Sequence, residues 1–137
     1  MSKVIYKQGQ ISDIDENLGI VKGYGSVFGN KDSDNDIIEK GAYKRTIKNN
    51  GSRVKYLYQH DITKPIGKMK ELYEDEKGLV FVAEVPKTTF GNEVLELMKY
   101  GVIDENSVGI MPVKKDYDEN GVRMIKEVKL YEFSAVT

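Results

Sequence analysis

Residues 105–136 read ENSVGIMPVKKDYDENGVRMIKEVKLYEFSAV. Asn120-Gly121 stands near the middle, between two runs rich in branched and aromatic residues. An Asn-Gly pair in that setting is a strong short-range hairpin signal, because the turn needs left-handed backbone that Asn and Gly accept. The segment therefore reads as two antiparallel strands. Period-two alternation along the second puts Val128, Leu130, Glu132, Ser134 and Val136 on one face. Glu127, Lys129, Tyr131 and Phe133 take the other.

Working outward, the same punctuation recurs. KVIYKQ (3–8) and IVKGYGSVF (20–28) read as the first strands, and RVKYLYQH (53–60) alternates with period two. IGKMKELYE (66–74) and LVFVAEV (79–85) flank the turn DEKG, which reads as another hairpin. Two helices interrupt the strands. GAYKRTIKN (41–49) is expected to stop at Asn50-Gly51 through a left-handed cap. TFGNEVLELMKY (89–100) carries Phe90, Val94, Leu97 and Met98 at helical spacing, with Thr89 as N-cap and Gly101 as the stop. Those apolar residues read as core contacts. The expected fold class is mainly β with helices (α+β), a barrel-like antiparallel sheet of about seven strands in one domain, 1–137.

Composition removes much chemistry. With 39% hydrophobic and 31% charged residues, the chain reads as globular. Twenty-one basic and 22 acidic residues give a net charge of -1, which leaves no positive excess to track a phosphate backbone. No apolar run has the length of a membrane span, and MSKVIYKQGQ lacks the apolar core of a signal peptide. There is no cysteine, hence no thiolate nucleophile, disulfide or cysteine-ligated metal. His60 is the only histidine, against the two or three imidazoles of common zinc enzymes. No cofactor or metal is therefore assigned.

Asp32, Asp34 and Asp36 alternate in NKDSDND and invite a calcium reading. Counting from Asp32, Ile37 falls where the sharp-turn glycine belongs and Tyr43 where the bidentate glutamate belongs, so a solvated turn is preferred. The glycines of GYGSVFG lie in strand-like sequence and read as bulges or close backbone packing rather than a nucleotide loop. No carboxylate pair is singled out by position, which sets a glycosidase aside.

Three residues remain that can do chemistry together. His60, at the end of RVKYLYQH, shares a face with Val54, Tyr56 and Tyr58. Ser107 re-enters extended structure with Gly109 after it, a position with little bulk to block a substrate, though serines at strand starts are common. Glu132 lies on a mostly apolar face, where a carboxylate needs a partner to stay ionised. It can accept a hydrogen bond from an imidazole N–H, leaving the other ring nitrogen to take a proton from a serine hydroxyl.

Four stretches in order resemble a known family, the prohead (capsid-maturation) serine proteases of tailed bacteriophages, related in fold to the herpesvirus assemblins. They are GYGSVFGNKDSDNDIIEKGAY, YLYQHDITKPIGK, NSVGI and IKEVKLYEFSAVT. The resemblance implies a seven-stranded barrel surrounded by helices, with His60 as general base, Ser107 as nucleophile and Glu132 as orienting acid. The third match is the looser one, because the herpesvirus relatives use a second histidine there. It implies as substrate the phage major capsid protein or its scaffold segment, self-cleavage, and action inside the assembling prohead in the bacterial host cytoplasm. A homodimer follows by analogy with the herpesvirus enzymes, with no nucleic-acid or membrane partner. Relatives continue past the closing strand into a tail that is absent here, through self-cleavage or truncation. The alternative reading is a non-catalytic β-barrel module of the same family that binds capsid or scaffold.

Overall fold

The computed structural model describes residues 3–137. The alternating runs form β1 (Ile5–Asp15), β2 (Ile20–Val27), β3 (Asp36–Ile38), β4 (Lys55–Tyr58), β5 (Asp61–Glu74), β6 (Gly78–Glu84), β7 (Glu105–Tyr117) and β8 (Arg123–Val136). The helices are α1 (Lys44–Asn50) and α2 (Thr89–Lys99). Strand order runs β3-β8-β4-β5-β6-β2-β1-β7, and β7 pairs again with β8, so seven strands close a barrel and β3 flanks it. The mainly β fold expected from the sequence is present.

The barrel is mixed rather than wholly antiparallel. Both β3 and β4 run parallel to β8 along the same edge, β3 beside Arg123–Ile125 and β4 beside Phe133–Ala135. Between them that edge lacks a strand, and the α1 region fills the gap. The Leu130 N–H donates to Thr46 Oγ1 at 2.9 Å and the Val128 N–H to the Ala42 carbonyl at 3.1 Å. Buried backbone donors need partners, so a helical crossover that carries its own acceptors can replace strand pairing here.

The β7–β8 hairpin forms as expected, from Glu105↔Val136 to Tyr117↔Arg123. Its turn differs from a two-residue Asn-Gly loop. Asp118 O accepts from Gly121 N at 3.1 Å, Gly121 alone takes the left-handed conformation (φ 81°), and the Asp118 carboxylate accepts from Asn120 N and Val122 N. This is the longer loop in which a turn is followed by a left-handed glycine.

Helix ends also depart from expectation. Gly51 is right-handed (φ -53°) and continues α1 into a 3-10 turn, Gly51–Arg53. Thr88, not Thr89, caps α2, its side chain accepting from Gly91 N at 2.9 Å. Gly101 does end α2 in left-handed backbone (φ 77°). Val94 and Met98 are buried with Leu95, whereas Phe90 and Leu97 lie at the surface, Phe90 edge-on to Tyr58.

The barrel interior is aromatic at its centre. Phe133 packs on Phe81 with ring centroids 4.7 Å apart and on Tyr56 at 6.1 Å. A Cβ on Gly25 would come within 2.4 Å of the Phe133 ring, so the absent side chain makes room for the aromatic. This bears out the close-packing reading of GYGSVFG.

The acidic loop is not merely a solvated turn. Asp36 is 1% exposed and takes a two-pronged contact from Arg123, Nε to Oδ1 at 2.7 Å and a terminal nitrogen to Oδ2 at 2.9 Å. Buried Lys7 reaches in from β1 to Asp36 at 2.8 Å, Asp32 at 2.6 Å and Asp34 at 3.3 Å. The carboxylates that suggested calcium thus surround an ammonium. Burial alone would raise the Asp36 pKa, but hydrogen bonds from Arg123 and Lys7 outweigh it and hold the carboxyl below its ordinary value. Burial likewise works against the charge on Lys7, yet Asp32 and Asp36 keep its pKa above the usual lysine value.

Candidate active site

Strands β1, β7 and β8 lie side by side, with β7 in the middle. In register, Ser107 stands between Gln8 and Ser134, and Gly109 between Tyr6 and Glu132. Directly opposed residues share a face, as do positions two apart on one strand. Tyr6, Gln8, Ser107, Gly109, Glu132 and Ser134 therefore form one patch. Val108 and Phe133, between them, point into the core, so the patch lies on the outside of the barrel.

Glu132 reaches that patch through a β-bulge. Gly109 pairs with Glu132 but Ile110 pairs with Leu130, leaving Tyr131 as an extra residue on β8. Leu130 and Phe133 are consequently both in the core, although strict alternation would separate them. The expectation that Glu132 shares an apolar face with Leu130 is corrected: the bulge turns Glu132 outward. Bulges re-aim a single side chain in this way.

His60 arrives from a different direction. Tyr58 pairs with Asp61, so Gln59 and His60 form the turn between β4 and β5. Both have left-handed backbone, φ 52° and 61°. Two-residue hairpin turns demand this geometry, but Gln and His adopt it at a cost on the order of 1 kcal/mol each. The turn is pinned onto β8, Gln59 N–H donating to the Ala135 carbonyl at 2.9 Å and His60 N–H to Ser134 Oγ at 3.1 Å. His60 is therefore not a strand residue sharing the Tyr56 face; the turn carries its ring over the outer patch instead.

There the imidazole Nδ1 hydrogen-bonds Glu132 Oε1, and the ring packs against Tyr6 with centroids 4.5 Å apart. Against an ionised carboxylate, which only accepts, Nδ1 is the donor and Nε2 is the ring nitrogen left over. Ser107 is 1% exposed and its Oγ has no hydrogen-bond partner, His60 included. Beside it, Asn106 points into the barrel and accepts from the Tyr56 hydroxyl at 2.6 Å, which ties β7 to β4. Tyr6 and Gln8 line a cavity of about 240 Å³ together with Lys7, Ser26, Asp32 and Asp34.

Of the residues expected from the sequence, the structure joins His60 and Glu132 directly and sets Ser107 on the same face, two positions from the glycine opposite Glu132. Tyr6 and Ser134 were not anticipated. Ser134 had a signal, because it stands two residues from Glu132 on the same face; Tyr6 had none, since only the β1–β7 register brings it here.

Gly109 makes room for the pair. A Cβ at this position would sit 2.9 Å from Glu132 Cγ and 3.3 Å from the Tyr6 ring. Gly109→Ala is expected to displace Glu132 from His60, at a stability cost of about 1 kcal/mol. Ring-nitrogen NMR shifts of His60 beside a urea titration would check this, and unchanged shifts would show that Glu132 has not moved.

A hydroxyl and a carboxylate on the β7–β8 seam, with an imidazole brought over them by a turn, are the components used by hydrolases with a hydroxyl nucleophile. Residues 7–137 match the caudovirus prohead serine proteases, and the chain belongs to that family. It is 38% identical over 105 residues to the prohead protease of Enterobacteria phage HK97, covering 75% of this chain and 47% of that protein. It is 30% identical over 130 residues to the prohead protease of Escherichia phage T5, covering 91% and 61%. The chain thus spans only part of the length of these curated relatives. Its fold matches the bacteriophage T4 capsid assembly protease with a TM-score of 0.79 over 99% of this chain and 98% of that one, at 12% identity. The family resemblance read from the sequence is correct. Among the described residues, no helix is long and apolar enough to cross a membrane.

Proposed function

We propose that this chain is a serine endopeptidase of prohead maturation, with Ser107 as nucleophile, His60 as general base and Glu132 as the acid that orients it. The observation that carries this reading is the His60–Glu132 hydrogen bond on the same outer face as Ser107, in a member of a prohead protease family. Ser107 Oγ attacks the scissile carbonyl and its proton passes to His60 Nε2. The imidazolium returns that proton to the leaving amine, and an ester to Ser107 remains. Water, deprotonated by His60, then releases the acid. Glu132 stays ionised throughout and stabilises the imidazolium. Nucleophile–base contacts are often long before substrate binds, so an unpartnered Ser107 Oγ is compatible with this role. The cavity beside Tyr6 and Gln8 offers room for a substrate side chain next to the site.

The substrate class is the major capsid protein or its scaffold segment within the assembling prohead in the host cell, and this chain itself. Incubation with the capsid precursor of the same phage, followed by mass spectrometry, tests the assignment. Discrete products that vanish with His60→Ala and with Ser107→Ala are expected. Undiminished cleavage in either variant would sink the residue assignment. Binding of the precursor without cleavage by the unaltered chain would favour a capsid-binding module instead.

A further inference from the structure

We propose that Ser134 is a positioning residue, whose one hydroxyl fixes both the backbone and the ring of His60. The inference rests on the reading of His60 as general base. Ser134 is 0% exposed and stands directly opposite Ser107 in the β7–β8 register. Its Oγ accepts from the backbone N–H of His60 at 3.1 Å and donates to Glu132 Oε1 at 3.4 Å. That carboxylate oxygen is the one that receives His60 Nδ1. The three groups close a ring: amide to hydroxyl, hydroxyl to carboxylate, imidazole to the same carboxylate.

The polarity of this ring has one solution. The amide can only donate, so Ser134 Oγ must accept there, and its single proton is left for the carboxylate. An ionised Glu132 then faces two donors and can only accept from Nδ1. The ring is held as the tautomer with Nε2 unprotonated, the form a general base needs. The same hydroxyl holds down a residue in left-handed backbone (φ 61°), a conformation histidine leaves readily when nothing restrains it. Ser134 is buried, and removing its hydroxyl leaves the His60 amide and the Glu132 carboxylate each short of one protein partner. Glu132 and Ser134 come to the outer face together, since both follow the Tyr131 bulge.

His60 is the only histidine, so ring nitrogen shifts of protein carrying ¹⁵N-histidine report one residue. With serine in place, the spectrum should show the Nδ1-protonated tautomer above the titration midpoint. Without the hydroxyl Glu132 loses one of the two donors that hold its carboxylate against Nδ1, so Ser134→Ala should give mixed tautomers, faster hydrogen exchange at the His60 amide, and kcat lower by roughly tenfold with KM unchanged. Ser134→Cys keeps the shape of the side chain with a somewhat larger, poor hydrogen-bonding group and should show the same signature, which preserves the test if the alanine variant folds poorly. An unchanged tautomer and amide exchange in these variants would overturn the proposal, whatever happens to kcat. If the unaltered chain cleaves nothing, the protease assignment fails, while the spectra still decide whether Ser134 sets the state of His60.

Discussion

Ser107→Ala is expected to abolish cleavage, by roughly 10³-fold or more, and to leave the barrel as stable as before or slightly more so. The first half follows from the proposed role of Ser107 as nucleophile, since an alanine has no oxygen to form an acyl ester. The second half follows from packing. Ser107 is buried and its Oγ is without a hydrogen-bond partner. Leaving such a group unpaired costs on the order of 1 kcal/mol or more, so deleting the oxygen removes a penalty rather than a bond. The backbone on either side is held by β1 and β8, and alanine suits that setting as well as serine does. Capsid-precursor digestion beside thermal unfolding gives both readings. A variant that loses activity together with more than about 1 kcal/mol of stability would mean that Ser107 serves the fold.

Asp36→Asn should produce the largest loss of stability, about 3 kcal/mol, with a melting temperature lower by roughly 10 °C. Its carboxylate is the common partner of Arg123 and Lys7, and Lys7 is only 6% exposed. The amide removes a charge from between two cations, one of them buried, and breaking a buried pair costs more than the pair itself contributes. Lys7 keeps Asp32 at 2.6 Å, which sets the expected loss near the low end of the roughly 3–5 kcal/mol that breaking a buried pair costs.

The pH dependence has a definite sign. The Asp36 pKa is lowered in the folded chain, so its contribution is present above the unfolded value of about 4 and is lost as the pH falls through the lower folded value. The Lys7 pKa is raised, so its contribution is full below about 10.4 and is lost as the pH rises through the folded value. Urea midpoints measured from pH 2 to pH 6 should show a steeper acid loss in the unaltered chain than in Asp36→Asn. Parallel curves would mean that Asp36 contributes nothing through its charge.

Local patterns carried much of the fold. Alternation and turn residues located the strands from β1 to β8 except short β3, and helical spacing with Gly101 located α2, because these signals are written within a few residues. The parallel β4–β8 seam was not legible. It depends on a crossover through α1, and no residue near β4 marks which way its partner runs. Lys7 lies on β1 and Asp36 on β3, 29 residues apart in the chain, so the acidic loop read in its own segment looked like a solvated turn.

The site divides in the same way. From the sequence by itself came the chemical inventory: one imidazole, no thiol, a serine before a glycine and a carboxylate on the closing strand. The family and the mainly β architecture also came from it, because motif order and alternation survive without coordinates. What the tertiary structure decided is which way these groups point. Alternation put Glu132 on the face of Leu130 and His60 on a strand face, and each placement failed at a local break: the one extra residue, Tyr131, in the β8 bulge, and the two-residue left-handed turn Gln59-His60. Side-chain direction in a strand reverses with every residue, so one bulge or turn changes the face of all that follows. The register of the β7–β8 hairpin fixes the bulge, and hydrogen bonds to Ser134 and Ala135, distant in sequence, pin the turn, so only the folded barrel supplies both.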